Sequence, residues 1–184
     1  GQVRGEFLKS LKKFIIKKEG KQGYLEYKNT FKKLEIDIEY YENLKNSEWM
    51  PKYIANISSI VAIRIFNWSE DTVFEFGKLS LTYLTSTKIF LKYFSSIEKT
   101  LTQIAKRWKH YSTRGEFEVK NLDEENKSAV VLLNDYPTNR MDCIYTKGMI
   151  TSVVVLSTGS NNVKVEETKC QSQGDDYHEF KINW

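Results

Sequence analysis

Four residues near the C-terminus carry side chains that ligate metal ions: Cys143, Glu167, Cys170 and His178. Thiolate, carboxylate and imidazole are the donors zinc accepts in a tetrahedral set, and two of them commonly come from a strand end and the turn that follows it. Glu167 and Cys170 stand three apart, Cys170 and His178 eight apart around a Gly-Asp turn, and Cys143 precedes them on a segment of helical length. The spacing Cys-x7-His is not that of a standard zinc finger, and a lone glutamate is seldom a structural ligand. A plain hairpin therefore stays open as the alternative, with Cys170 as a small buried hydrophobe and His178 paired with an acidic neighbour.

The elements that must position these residues follow from periodicity. The first two thirds of the chain read as helical. Phe7, Leu8, Leu11, Phe14 and Ile15 form one stripe, which Gly20 closes as a C-cap, and Tyr24, Tyr27, Phe31 and Leu34 form a second. Pro51 opens a third, mostly apolar helix at a position where its missing N–H costs little. A capping box at Ser69 or Asp71 starts a short helix that should stop at Gly77, and one or two more helices lie between Leu79 and Gly115.

After Gly115 the period changes to two. "GEFEVKNL" and "KSAVVLLND" read as strands joined by a turn at "DEEN". "TNRMDCIYTKGMITSVVVLS" exceeds the length of most strands and is assigned to a helix. "VKVEETKC" and "HEFKINW" are two further strands around "QSQGDDY". The expected fold is α+β, with N-terminal helices packed on a small antiparallel sheet in the order helices, two strands, helix, two strands. A single domain spans 1–184, mainly helical over 1–114 and sheet-containing over 115–184.

Composition narrows the function. With 184 residues, 40% hydrophobic and 28% charged, the chain can bury a substantial core. Its net charge of +4 comes largely from N-terminal lysines such as Lys12, Lys13, Lys17 and Lys18. Interspersed glutamates make this a solvated helix face, so no specific nucleic-acid partner is expected. No apolar run approaches the ~20 residues of a membrane span, and a cytoplasmic location is expected. Neither His110, at a basic helix end, nor His178 is tied by sequence to a nucleophile, and no nucleotide-binding or hydrolase signature occurs. A non-enzymatic role is expected.

From residue 140 onward the chain resembles the 4-vinyl reductase type domain, a small-molecule-binding module. The matching features are Cys143 with Gly148, the E-x-x-C of Glu167 and Cys170, and the G-D-x-x-[CH]-x-F of Gly174, Asp175, His178 and Phe180. That resemblance implies a structural zinc on Cys143, Glu167, Cys170 and His178, with histidine standing where the family usually has a third cysteine. The helical preface, with "WMP" before a core helix and "RWKHYSTRGEFEV" leading into the sheet, is similar in order to a wider group of ligand-binding domains. That group includes the heme nitric-oxide/oxygen binding domains and the TRAPP tethering subunits.

The resemblance implies a sensory domain whose apolar pocket takes a small apolar or aromatic molecule. Trp108, Tyr136 and Tyr145 are the candidate pocket residues, ordinary core packing being their alternative. A homodimeric interaction module like the TRAPP subunits, holding a lipid chain or nothing, is the competing expectation. Heme is not expected: His110 stands outside the apolar stripe, and Tyr111 to Arg114 has the wrong spacing for the heme-carboxylate motif Y-x-S-x-R.

Overall fold

The computed structural model describes residues 1–83 and 96–184; the part of the expected later helices that falls on 84–95 lies outside the described residues. Both N-terminal stripes lie on one element, α1 (Glu6–Lys33), where Leu8, Leu11, Phe14, Ile15, Tyr27 and Phe31 are buried. Gly20, at φ 76° and ψ −179°, interrupts it: the first helical piece ends there, as expected, and a second piece continues beyond the kink. Only glycine adopts that backbone at low cost. Leu34 falls outside the core, at 50% exposure.

Two three-residue strands, β1 (Gln2–Arg4) and β2 (Trp49–Pro51), pair antiparallel with Val3 opposite Met50. Periodicity did not announce them, because three residues are too few to establish an alternation. Between them runs the short α2 (Ile38–Glu42), capped by the Asp37 carboxylate, which accepts from the Tyr40 N–H. Pro51 is the N-cap of α3 (Lys52–Ile65), as its chemistry suggests.

The next helix, α4 (Glu70–Tyr83), runs through Gly77 instead of stopping there. Gly77 faces α6 (Arg140–Thr158): a Cβ on Gly77 would stand 3.1 Å from the Gly148 Cα and closer still to the Tyr145 carbonyl. Glycine here permits a close helix crossing, and its poor helix propensity is overridden by that packing. Helix α5 (Ile97–Arg107) begins at Ser96, whose hydroxyl accepts from the Lys99 N–H, and passes into a 3-10 turn over Trp108–His110.

Strands β3 (Glu116–Asp123), β4 (Ser128–Asn134), β5 (Lys164–Lys169) and β6 (His178–Asn183) form an antiparallel sheet in the order β3-β4-β6-β5. Fold class and element order agree with the reading of the sequence. The β-prone run Val153–Leu156 is helical because α6 is fixed at both ends. The Asn139 side chain accepts from the N–H groups of Met141 and Asp142, and Gly159 closes the helix at φ 71°.

Helix α6 joins two cores. Ile144 packs with the buried residues of α1, α3 and α4, whereas Ile150, Val153 and Val154 pack with Leu101, Val131, Phe180 and Ile182. The helix thus carries the same side of the molecule to both the sheet and the helical layer. Among the described residues no helix is long and apolar enough to cross a membrane.

Candidate metal cluster and adjoining cavity

The four candidate ligands converge. Cys143 comes from the second turn of α6, Glu167 from β5, Cys170 from the residue after β5, and His178 from the first position of β6. One donor atom from each lies within 4.8 Å of all the others. Cys143 Sγ is 3.2 Å from Cys170 Sγ and 3.6 Å from His178 Nδ1, which is 3.4 Å from Glu167 Oε1. Both cysteines are free thiols, and both are buried with His178.

Local structure explains the convergence. The Gly-Asp turn is a clamp: the Cys170 N–H donates to the Asp175 carboxylate (2.7 Å), while the Asp175 N–H donates back to the Cys170 carbonyl (3.3 Å). Gly174 supplies the left-handed backbone at φ 104° that returns the chain to β6. His178 Nε2 lies 3.1 Å from the Tyr136 carbonyl, which can only accept, so Nε2 donates there, and Nδ1 faces Cys143 Sγ and Glu167 Oε1. Ser172 Oγ stands 2.9 Å from Cys170 Sγ. Arg140 NH1 donates to Glu167 Oε2 at 2.8 Å, leaving Oε1 toward the cluster.

These separations fit a tetrahedral ion. Bonds of about 2.3 Å to sulfur and about 2.0 Å to nitrogen and oxygen place donors roughly 3.8 Å apart for two sulfurs, ~3.6 Å for sulfur and nitrogen, and ~3.3 Å for nitrogen and oxygen. Of these three, the sulfur pair, at 3.2 Å, is the one that has to open, by about 0.6 Å. Burial pushes the Cys143 thiol up, and its hydrogen bond to Cys170 and the charge of Glu167 act in the same direction. For Glu167, burial acts upward, yet hydrogen bonds from His178 and the thiols, with the Arg140 charge, hold its carboxyl below the usual range.

Beside the cluster lies a cavity of about 170 Å3 between the N-terminal layer, α5 and α6. Trp108, Tyr136 and Tyr145 all line it. The Trp108 indole N–H donates to the Arg114 carbonyl (2.9 Å), and its ring stacks on Phe117 and meets Tyr136 edge-on. Tyr145 packs between Phe7 and Phe76. Burial raises the phenols of Tyr136 and Tyr145, so both are neutral hydrogen-bonding groups. Tyr136 serves both places: its ring walls the cavity and its carbonyl holds His178.

Sequence reasoning missed the N-terminal wall, formed by Val3, Arg4, Glu6 and Phe7, and the α6 residues Thr146 and Met149. Arg4 is held away from the interior by donating to the carbonyls of His110 and Ser47 and lying over the Trp49 ring. Burial raises the Glu6 carboxyl against the lowering charges of Arg4 and Lys9. Nothing in the pattern of the first seven residues marks them as cavity-forming; they reach it through pairing with β2 and with Ser112. His110 is exposed, as expected of a helix-end residue.

No family model and no curated protein matches the chain. Solved structures do share its α+β fold, H-NOX proteins among them. One is an H-NOX protein from S. oneidensis in the Fe(II)NO ligation state, 12% identical, with TM-score 0.72 over 98% of each chain. An unliganded Fe(II) H-NOX protein from K. algicida is 12% identical, with TM-score 0.68 over 98% of this chain and 96% of that one. A third, described as modulating heme redox potential through protein-induced porphyrin distortion, is 10% identical with TM-score 0.70, covering 99% and 95%. Within the wider group that the helical preface resembles, the fold is that of the heme nitric-oxide/oxygen binding domains.

The expectation against heme is corrected by this finding: the chain has the fold of heme-carrying proteins. Its reasoning was too narrow on two counts. Tyrosine and methionine also serve as axial ligands, and the cavity presents Tyr111, Tyr136, Tyr145 and Met149. The motif spacing sought at Tyr111–Arg114 occurs instead, with threonine for serine, at Tyr136, Thr138 and Arg140. Of these, Tyr136 lines the cavity and Arg140 reaches Glu167.

Proposed function

We propose that this chain is a non-catalytic, small-molecule-binding sensory domain whose C-terminal half is clamped by a zinc ion on Cys143, Glu167, Cys170 and His178. The observation that carries this reading is the adjacency of a largely apolar cavity, walled by Trp108, Tyr136 and Tyr145, to a buried four-donor cluster through Tyr136. A volume of about 170 Å3 is comparable to the ~150 Å3 cavities that take one aromatic ring. The ligand is a small apolar or aromatic molecule that meets neutral hydroxyls at the wall. The H-NOX neighbours make heme a further cofactor to offer, although a porphyrin is several times the size of one aromatic ring and would have to open the cavity that Tyr111, Tyr136, Tyr145 and Met149 line. Zinc would supply charge and geometry, holding α6 to the β5–β6 hairpin beneath the cavity.

Titration of the purified protein with benzene, indole, phenol and hemin, followed by tryptophan fluorescence and thermal shift, tests this reading. Saturable quenching that disappears in Trp108→Phe and a raised Tm that Met149→Trp abolishes by filling the cavity are expected. No saturable response to any of the four, with Met149→Trp simply more stable, would reduce the cavity to a packing void.

A further inference from the structure

Arg140 is not consumed by the cavity or by the core. Its guanidinium sits 45% exposed at the start of α6, with NH1 2.8 Å from Glu167 Oε2 and Nε 3.5 Å from Glu70 Oε1. Glu167, by contrast, has a side chain only 7% exposed, and its other oxygen lies 3.4 Å from His178 Nδ1. One carboxylate thus presents one oxygen to a cation outside the cluster and one to the donors inside it.

We infer that Arg140 is a positioning residue for the metal cluster, fixing Glu167 as a one-oxygen ligand and neutralising the loaded site; the inference rests on the zinc reading above. Two thiolates, one carboxylate and a neutral imidazole around a divalent ion leave one net negative charge. In a buried cluster that charge is costly unless a cation stands against it. Arg140 stands against the outer oxygen of the Glu167 carboxylate, and the Tyr136 carbonyl performs the matching task for His178. Outer partners of this kind orient ligands and commonly govern metal affinity by about 10–100-fold.

The geometry also dictates what Arg140 excludes. With Oε2 held at 2.8 Å by Arg140, Glu167 cannot swing to offer both oxygens, so the four-coordinate set preferred by zinc is favoured over the six or more oxygen-rich contacts that calcium prefers. Lysine keeps the charge but lacks the planar fork, so it replaces the neutralisation and only part of the orientation.

The test is a zinc competition titration against a chromophoric chelator, on full-length wild type, Arg140→Gln, Arg140→Lys, Glu167→Gln and the Arg140→Gln/Glu167→Gln double variant. Metal-free thermal stability is read in parallel. Arg140→Gln is expected to weaken zinc binding by about 10-fold or more in the wild-type background, Arg140→Lys to recover part of it, and Arg140→Gln to change affinity less than ~2-fold once Glu167 is already glutamine. Unchanged affinity in Arg140→Gln would overturn the inference, as would an equal loss in both backgrounds, which would place Arg140 in the fold and not on Glu167. Failure of the wild type itself to take zinc would be seen before any variant is compared, and would remove the zinc reading and this inference together.

Discussion

Replacing Gly148 with alanine places one methyl group into the α4–α6 crossing. The new Cβ would lie 2.9 Å from the Lys78 amide nitrogen, 3.0 Å from the Gly77 Cα and closer again to the Phe74 carbonyl oxygen, all of them backbone. Ordinary contacts of this kind are about 3.5–4.0 Å, so relieving the closest one, to the Phe74 carbonyl oxygen, requires the two helices to separate by roughly 1 Å. Alanine would gain about 1 kcal/mol of helix propensity at this position. Overpacking costs about 1–3 kcal/mol where side chains can yield, and here only backbone is available to yield. The expected net result is a loss of about 1–3 kcal/mol in urea unfolding followed by circular dichroism. Gly77→Ala obstructs the same crossing from the other side, so the double variant should lose less than the sum of the two. Parting the helices also moves Ser80 and Leu81 away from Tyr145 and Thr146 across the cavity, so ligand affinity should fall with stability. A Gly148→Ala protein as stable as wild type, or more stable by the propensity gain, would refute the close crossing.

Three further outcomes follow from the same geometry. Asn139→Ala removes the side chain that accepts from the Met141 and Asp142 N–H groups; a loss of about 1 kcal/mol in denaturant unfolding and weaker zinc binding are expected, since Cys143 lies in the next turn. The Cys143 thiol is raised by burial and must lose its proton to ligate, so zinc affinity should rise with pH between about 6 and 8, with at least ~one proton released per ion in a weakly buffered indicator titration. Glu6 has its folded-state carboxyl raised, so its charge weakens the fold as pH rises above the ordinary carboxyl range near ~4.3. Glu6→Gln should therefore improve Tm relative to wild type more at pH 7 than at pH 4, measured by differential scanning fluorimetry.

The parts of this molecule that were legible in the sequence are those encoded locally. Helix α6 carries its own N-cap in Asn139 and its own stop in Gly159, β3 alternates over enough residues to declare a period, and β4 is a compact apolar run beside a turn. The convergence of the four candidate ligands was legible for a related reason: three of them fall within one hairpin, and the Gly174–Asp175 turn that closes it is written in the same stretch. Gly77 misled because a glycine that ends a helix and a glycine that lets another helix approach look the same in one dimension. The cavity was half legible. Trp108, Tyr136 and Tyr145 stood out as aromatics at the helix and sheet junction, but Arg4 and Phe7 come from a segment more than ~100 residues away in sequence, delivered by a strand too short to show alternation. The judgement on heme failed because it sought a histidine and one strict motif, whereas cavity chemistry is set by whichever donors three distant elements bring together.

Metal content decides the central claim most directly. Protein purified without a metal-affinity tag or chelator, and measured by plasma mass spectrometry beside Cys170→Ser, should carry about one zinc per chain, with the variant losing both the ion and thermal stability. Metal-free wild-type protein that takes up no zinc on dialysis against it, and that unfolds at the same temperature as Cys170→Ser, would contradict the metal-clamped domain.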